Sequence, residues 1–192
     1  MRLFIAANLG EQFRQSLATQ LDAWRSQLQI AWSRPQTWHV TLDFLGEVVA
    51  GHIDGIQQAL AKVAQDHAPF QVIPGELGAF PNLNRPRVLF LHLASDGALE
   101  QLATDIRHQV DLVLPAGEQD RKSFRAHLTV ARIKRPLPAA QRRLLSQIQL
   151  VPWEPVPIAA IRLVASELRP EGARHTDLAV VPLEGGSQAP DR

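Results

Sequence analysis

The chain has 192 residues, 45% hydrophobic and 20% charged, and its 20 Lys and Arg against 19 Asp and Glu leave a net charge of +1. That balance suits a soluble globular fold of one domain or two small lobes, and it excludes a nucleic-acid polycation. The absence of cysteine rules out disulfides, thiolate nucleophiles and cysteine-ligated zinc, and it fits a reducing cytoplasm.

No segment approaches the roughly 18 apolar residues of a membrane span. The opening run Leu3-Phe4-Ile5-Ala6-Ala7 is too short for a signal-peptide core. A cytoplasmic protein without membrane association is expected.

In chain order, Arg2-Leu3-Phe4-Ile5-Ala6 reads as a short buried strand. Phe13, Leu17, Leu21, Trp24 and Leu28 follow at the spacing of an amphipathic helix. Trp38-His39-Val40-Thr41-Leu42-Asp43-Phe44 reads as a second strand, and Ile53, Ile56, Leu60 and Val63 mark a second helix. Phe70-Gln71-Val72-Ile73 is strand-like, with Leu77 beyond it. Arg87-Val88-Leu89-Phe90-Leu91 then opens the series again. Its helix carries Leu99, Leu102, Ile106, Val110 and Val113, with Ser95 or Asp96 as N-cap. Ala126-His127-Leu128-Thr129-Val130-Ala131-Arg132 is the next strand. A weaker helix on Leu144, Leu145 and Ile148 is opened by Pro138, and Val156-Pro157-Ile158-Ala159 with Leu163 closes the series. Residues 184–192, with Gly185-Gly186-Ser187, are expected to be a disordered tail.

The second series repeats the first. Phe90 follows Phe4 by 86 residues, His127 follows His39 by 88, and Val156 follows Phe70 by 86. A chain that repeats once at this period is expected to form two similar lobes. Neither half carries enough core to stand obviously alone, so residues 1–183 are read as one domain with internal pseudo-twofold symmetry.

Each copy carries His-x-Thr inside an apolar run. In an extended strand, side chains at i and i+2 share a face. His39 and Thr41 therefore sit side by side, as do His127 and Thr129, while Val40, Leu42, Leu128 and Val130 take the opposite face. With seven His and six Thr in the chain, random placement gives about 0.2 such matches. A lone His in an apolar strand is more often a core residue than a catalyst; duplication reverses that expectation. Two imidazoles and two hydroxyls across a groove suit general acid–base chemistry on a phosphate ester. Spacing alone does not tell acid from base.

The blocks Arg34-Pro35, His39-Val40-Thr41-Leu42-Asp43-Phe44-Leu45-Gly46-Glu47-Val48, Leu77-Gly78-Ala79-Phe80-Pro81, Arg85-Pro86-Arg87-Val88-Leu89, Phe124 to Arg132, and Ser166-Glu167-Leu168 together resemble the 2H phosphoesterase superfamily. Within it they resemble the bacterial RNA 2′,3′-cyclic phosphodiesterases, also described as 2′-5′ RNA ligases. The resemblance covers roughly residues 1 to 183. It implies an α+β fold of two pseudo-symmetric lobes, each an antiparallel sheet with helices on its outer face and the active-site groove between them. It also implies hydrolysis of 2′,3′-cyclic phosphate ends to 2′-phosphomonoesters without metal or other cofactor, with reverse ligation as a further activity. In that scheme His39 is the proton donor to the leaving 3′ oxygen and His127 the base. Thr41, Thr129 and Arg132 bind the phosphate. The implied partners are RNA with 2′,3′-cyclic phosphate ends or cyclic nucleotides, met by a monomer.

Two positions depart from the family pattern: Asp43 stands where many members carry Lys, and His175 where many carry Tyr. The first is expected to alter groove charge, the second to affect how a base or the terminal strand is held. Strict alternation places Arg132 on the face opposite His127, so its role requires a bulge first. Phe44 is expected to be a core aromatic under the groove.

Between Asp120 and Glu154 no acidic residue occurs, while Arg121, Lys122, Arg125, Arg132, Lys134, Arg135, Arg142 and Arg143 do. Such a stretch beside His127 suits a phosphate backbone; for Arg142 and Arg143 a solvated helix face is an equal expectation. Trp32 and Trp38 flank the first motif and are expected in the core rather than against a base. His52, His67, His92 and His108 are expected to be structural or exposed. Ser166 and Arg169 resemble groove-rim positions. A non-catalytic RNA-binding protein and a metal hydrolase using Asp43 are the competing readings. Zinc catalysis normally takes three protein ligands, which tells against the second.

Overall fold

The computed structural model describes residues 1–114, 123–169 and 172–185. Its elements run β1 (Arg2–Ala7), α1 (Glu11–Arg25), β2 (Ala31–Trp32), β3 (Val40–Glu47), α2 (Ile53–Asp66), β4 (Phe70–Phe80), β5 (Val88–Ala94), α3 (Ala98–Asp111), β6 (His127–Arg132), α4 (Ala139–Leu145), β7 (Val156–Ile158), β8 (Ala160–Arg169) and β9 (Gly172–Pro182). The α+β reading holds, with four helices and antiparallel strand pairing throughout the described residues.

The strands form a curled sheet in the order β7-β4-β5-β6-β3-β1-β8-β9, with β2 added to β6. The two His-x-Thr strands, β3 and β6, are neighbours at its centre, with Val40 opposite Leu128. On one side stand β5, β4 and β7, on the other β1, β8 and β9.

Each lobe is a composite of both sequence halves. β4 of the first half pairs with β5 of the second, and β8 of the second pairs with β1 of the first. The repeat survives the exchange to the residue. Ile5 faces Leu163 and Leu91 faces Leu77, both pairs related by the 86-residue offset.

Alternation along the strands explains the layering. Leu3, Ile5 and Ala7 of β1, Val40 and Leu42 of β3, Leu89, Leu91 and Leu93 of β5, Leu128 and Val130 of β6, and Ile161 and Leu163 of β8 are all buried in one core. Phe13, Leu17 and Leu21 of α1, Ile56, Leu60 and Val63 of α2, Leu99, Leu102, Ile106 and Val110 of α3, and Leu145 of α4 join it. The helices thus cover one face of the sheet. Phe4, Ala6 and Val164 form a separate buried cluster on the other face, and the polar members of the motifs lie there.

Several local expectations are met in altered form. The N-cap of α3 is Gly97 and not Ser95 or Asp96; the Ser95 hydroxyl accepts a hydrogen bond from the Leu99 N–H at 3.0 Å from two residues before the cap, and Asp96 takes a positive φ of 48° in that turn. Trp38 is fully buried, and Trp32 is half-buried against the core. The strand expected at 70–73 continues to Phe80. β9 was not legible as a strand, because an edge strand exposes one face and Arg174, Thr176 and Asp177 break any apolar alternation. Of the tail expected to be disordered, Glu184 and Gly185 donate backbone hydrogen bonds to Ala64 O and His67 O at 2.8 and 2.9 Å. Residues 186–192 lie outside those described.

The exchanged strands have a testable consequence. A fragment of residues 1–86 lacks the β8 on which β1 pairs and the β5 on which β4 pairs. It is expected to show no cooperative thermal transition by circular dichroism, whereas the intact chain melts cooperatively; a stable, cooperatively melting fragment would contradict the strand order.

Candidate active site

The Val40–Leu128 pair fixes the site. Both side chains are fully buried on the helix face, so their neighbours at i±1 point the other way. Continuing the antiparallel register sets His39 opposite Thr129 and Thr41 opposite His127. The two imidazoles then stand on the diagonal of a four-residue square on one face of the sheet. The ladder between β3 and β6 is one pair long, so the strands part on either side and leave room above the square.

Both rings are held in the same way. His39 Nδ1 lies 2.7 Å from Thr37 O, and His127 Nδ1 lies 2.6 Å from Arg125 O. A carbonyl oxygen only accepts, so each Nδ1 carries the proton and each Nε2 is left as the acceptor nitrogen. Thr41 and Thr129 are half-buried on that face.

Immediately after each motif the register slips at equivalent residues. Ile5 faces Asp43 while Ala6 faces Thr41, which leaves Leu42 as the extra residue. Leu89 faces Ala131 while Phe90 faces Thr129, which leaves Val130 as the extra residue. Leu42 and Asp43 are consecutively buried, as are Val130 and Ala131. These bulges reset the alternation, and three side chains are placed by them. Arg132, exposed at the end of β6, comes onto the groove face. Phe44 comes onto the same face and is 65% exposed, which corrects its reading as a core aromatic. Asp43 is turned to the helix face instead. There it is buried and takes the Arg107 guanidinium of α3 at 3.2 Å. Asp43 therefore contributes no charge to the groove and stands on the wrong side of the sheet to share a metal with His39.

A Phe from the next strand lies beside each motif ring. Phe4 stacks on His39 with centroids 4.7 Å apart and planes inclined 26°. Its equivalent Phe90 meets His127 edge-on at 5.4 Å and stacks on Phe80 at 4.1 Å. The difference has a cause at one equivalent pair. Gly78, opposite Phe90, has no side chain, and a Cβ there would fall 2.7 Å from the Phe90 ring. Val164 holds the corresponding place opposite Phe4. Phe90 lies back over its glycine; Phe4 stays on its histidine.

The position singled out for its departure from the family pattern also reaches this face. His175 of β9 packs edge-on against both Phe4 and His39, at 5.0 and 5.3 Å. Only sheet curvature brings it there, since β1 and β8 separate β9 from β3. The other histidines fall as expected. His67 pairs with Asp105 of α3 at 2.9 Å, His52 and His108 lie on helices, and His92 is exposed, edge-on to Phe90. Ser166 faces His175 across the β8–β9 ladder, and Arg169 pairs with Glu167 at 2.9 Å.

Burial governs the electrostatics. It pushes His39 down to about 4; the Thr37 carbonyl opposes this, and the charges of His175 and His127 add to it. Burial also lowers His127, with the Arg125 carbonyl opposing and His92 adding. His175 is lowered by burial too, opposed by Asp177. Both motif rings are therefore held toward the neutral form at pH 7.

A curled antiparallel sheet with two His-x-Thr strands paired at its centre, and helices on the far face, defines a two-histidine phosphoesterase fold. Comparison with known proteins agrees. Residues 13–169 match the model of the 2′-5′ RNA ligase superfamily. A protein of Archaeoglobus fulgidus, named RNA 2′,3′-cyclic phosphodiesterase, is 30% identical over 94% of this chain and 99% of its own. One of the same name from Thermus thermophilus is 32% identical over 96% and 91%. The solved structure of TT0787 from Thermus thermophilus superposes with a TM-score of 0.80 at 30% identity, covering 97% of this chain and all of that one. The chain belongs to the 2′-5′ RNA ligase superfamily.

The contact between His175 and His39 is checked by titration. Replacing His175 with Phe removes a cationic neighbour, so the His39 pKa is expected to rise from about 4. Ring NMR shifts followed from pH 8 down to about 2.5, past the full transition, read this directly. An unmoved or lowered value would contradict the assigned electrostatics.

Proposed function

We propose that the chain is an RNA 2′,3′-cyclic phosphodiesterase working through His39 and His127. The observation that carries this reading is the pair of imidazoles, each with Nδ1 tied to a carbonyl, carried on adjacent strands at the centre of the sheet. Two neutral rings with the same free nitrogen, diagonal across two hydroxyls, match the needs of an in-line displacement at phosphorus.

In the proposed reaction His127 Nε2 takes a proton from water as the water oxygen bonds to phosphorus. The bond from phosphorus to the 3′ oxygen breaks, and His39 delivers a proton from its Nε2 to that oxygen. The product is a 2′-phosphomonoester. Thr41, Thr129 and Arg132 hold the non-bridging oxygens, on which negative charge builds. Attack by a 5′-hydroxyl in place of water would form a 2′-5′ linkage at the same centre, which is the reverse activity the superfamily name describes.

Burial works against a proton on His39, so the anionic diester supplies the charge that stabilises it. In a free enzyme with both rings lowered, the competent form with one proton between them is most populated on the acid side of the ordinary histidine value. Binding an anion moves it toward neutrality. The profile of kcat/KM is thus expected to be a bell with its maximum below pH 6.5, and that of kcat a bell displaced to higher pH. A flat kcat/KM between pH 5 and 9 would refute the two-histidine scheme.

The direct test incubates the protein with a 2′,3′-cyclic-phosphate oligonucleotide in chelator and identifies the hydroxyl that keeps the phosphate. Conversion to the 2′-phosphate is expected. Product with the phosphate on the 3′ oxygen would reverse the proposed leaving group, and no product would favour a binding protein of the same fold. His39→Ala and His127→Ala should each slow hydrolysis about 10²- to 10⁴-fold. Thr41→Ala and Thr129→Ala should each cost about 10- to 100-fold, the worth of one hydrogen bond to a charged group.

A further inference from the structure

The row of side chains that holds Thr41 runs on past the two motif strands. Ala6 of β1 pairs with Thr41, and Arg162 of β8 pairs with Ala6. Cross-strand partners share a face, so Arg162 stands on the groove face, two strand spacings or about 10 Å from Thr41. One row along, Val164 pairs with Phe4, and Asp177 of β9 pairs with Val164. Asp177 is therefore on the same face. This surface is continuous with the site: Phe4 stacks on His39, and His175, two residues from Asp177, packs against both rings.

Three polar side chains meet there. Arg162 Nη1 donates to Asp177 Oδ2. Nε, Nη1 and Nη2 of the same guanidinium surround the Asn8 amide at 3.1–3.2 Å. Only an oxygen accepts from three such donors, so the Asn8 carbonyl faces Arg162 and its NH2 is turned away. Those bonds use one carboxylate oxygen of Asp177 and the carbonyl of Asn8. The second carboxylate oxygen and the amide N–H groups are left for a ligand. Arg162 and Asn8 are half-buried and Asp177 is exposed, so the cluster is both held and accessible. The guanidinium charge offsets the carboxylate, and an anionic substrate is not repelled.

In the proposed displacement, water enters beside His127 and the 3′ oxygen departs beside His39, in line through phosphorus. The ribose and its base then lie on the His39 side, over the β1–β8–β9 lobe, where Phe44 offers an exposed ring 6.1 Å from that of Phe4. A carboxylate only accepts, and an amide NH2 only donates. Guanine complements that pair. Its N1–H and 2-amino group point together at one carboxylate, and O6 beside them accepts from an amide. Adenine and cytosine turn a bare ring nitrogen toward the carboxylate, and uracil has one N–H between two carbonyls. We propose that Asn8, Arg162 and Asp177 form a base-recognition site that selects guanine in the nucleotide bearing the cyclic phosphate. Asp177 reads the base, and Arg162 holds both partners in place. The nature of the ligand rests on the cyclic-phosphodiesterase reading; the place of the cluster beside His39 does not.

The test measures kcat/KM for the 2′,3′-cyclic phosphates of guanosine, inosine, adenosine and cytidine, with wild type and Asp177→Asn. Wild type should prefer guanosine over adenosine and cytidine about tenfold, the worth of one good two-point base contact. Inosine, which lacks the 2-amino group, should fall between guanosine and adenosine. In Asp177→Asn the guanosine and adenosine values should agree within about twofold, since the neutral amide no longer offers two acceptors. Each comparison is a ratio taken on one preparation, so partial unfolding of the variant leaves it unchanged. A wild type that hydrolyses guanosine and adenosine substrates equally, or a variant that keeps the wild-type ratio, would overturn the base-recognition site while leaving the phosphodiesterase reading standing. Should none of the four be hydrolysed, that reading fails, and calorimetry with guanosine 2′-phosphate and adenosine 2′-phosphate decides the site alone. Tighter guanosine 2′-phosphate binding that Asp177→Asn abolishes supports it, and equal binding by wild type refutes it.

Discussion

One backbone pair, Val40 against Leu128, carries the architecture of the groove. It is the whole ladder between the two His-x-Thr strands, and both its side chains are fully buried among the helices. Hydrophobic burial beneath the sheet therefore sets the position of polar groups above it. A slip by one residue would turn the imidazoles into the core and the apolar residues into solvent, which burial forbids. The alignment of the two rings is secured by the apolar residues between them and not by contact between the rings.

The same burial sets the charge state of the site. A ring packed on Phe4 or Phe90 loses hydration, and the charged form loses most. Each Nδ1 bond to a carbonyl recovers part of that loss and fixes the tautomer. The outcome is a pair of oriented rings, both held toward the neutral form. The carboxylate of Asp43 does not act on these rings, since it pairs with Arg107 below the sheet.

Duplication supplies two equivalent frames, and small departures from equivalence give the frames different tasks. Val164 against Gly78 decides whether the neighbouring Phe stays on its histidine or folds back over its strand. Phe44 against Arg132 makes one end of the groove aromatic and the other cationic. A phosphodiester is itself asymmetric, with a base on one side and a chain of further phosphates on the other. Two identical lobes would offer it no preferred direction.

The repeat of about 86 residues, the two His-x-Thr strands, the helices on 3.6-residue periodicity and the face each motif residue takes were all legible from the residues themselves, because hydrophobic period is a local property. The dependence of Arg132 on a bulge was legible too, as a condition that the slip at Val130 satisfies. Three things were not. The exchange of β4 and β8 between lobes, the burial of Asp43 with exposure of Phe44, and the approach of His175 to His39 all depend on strand partners distant in the chain and on the curl of the sheet. Local pattern determines which residues form a strand and which face they share. Which strands meet, where the ladder slips, and which side chains curvature brings together are decided only when the whole sheet closes over its core.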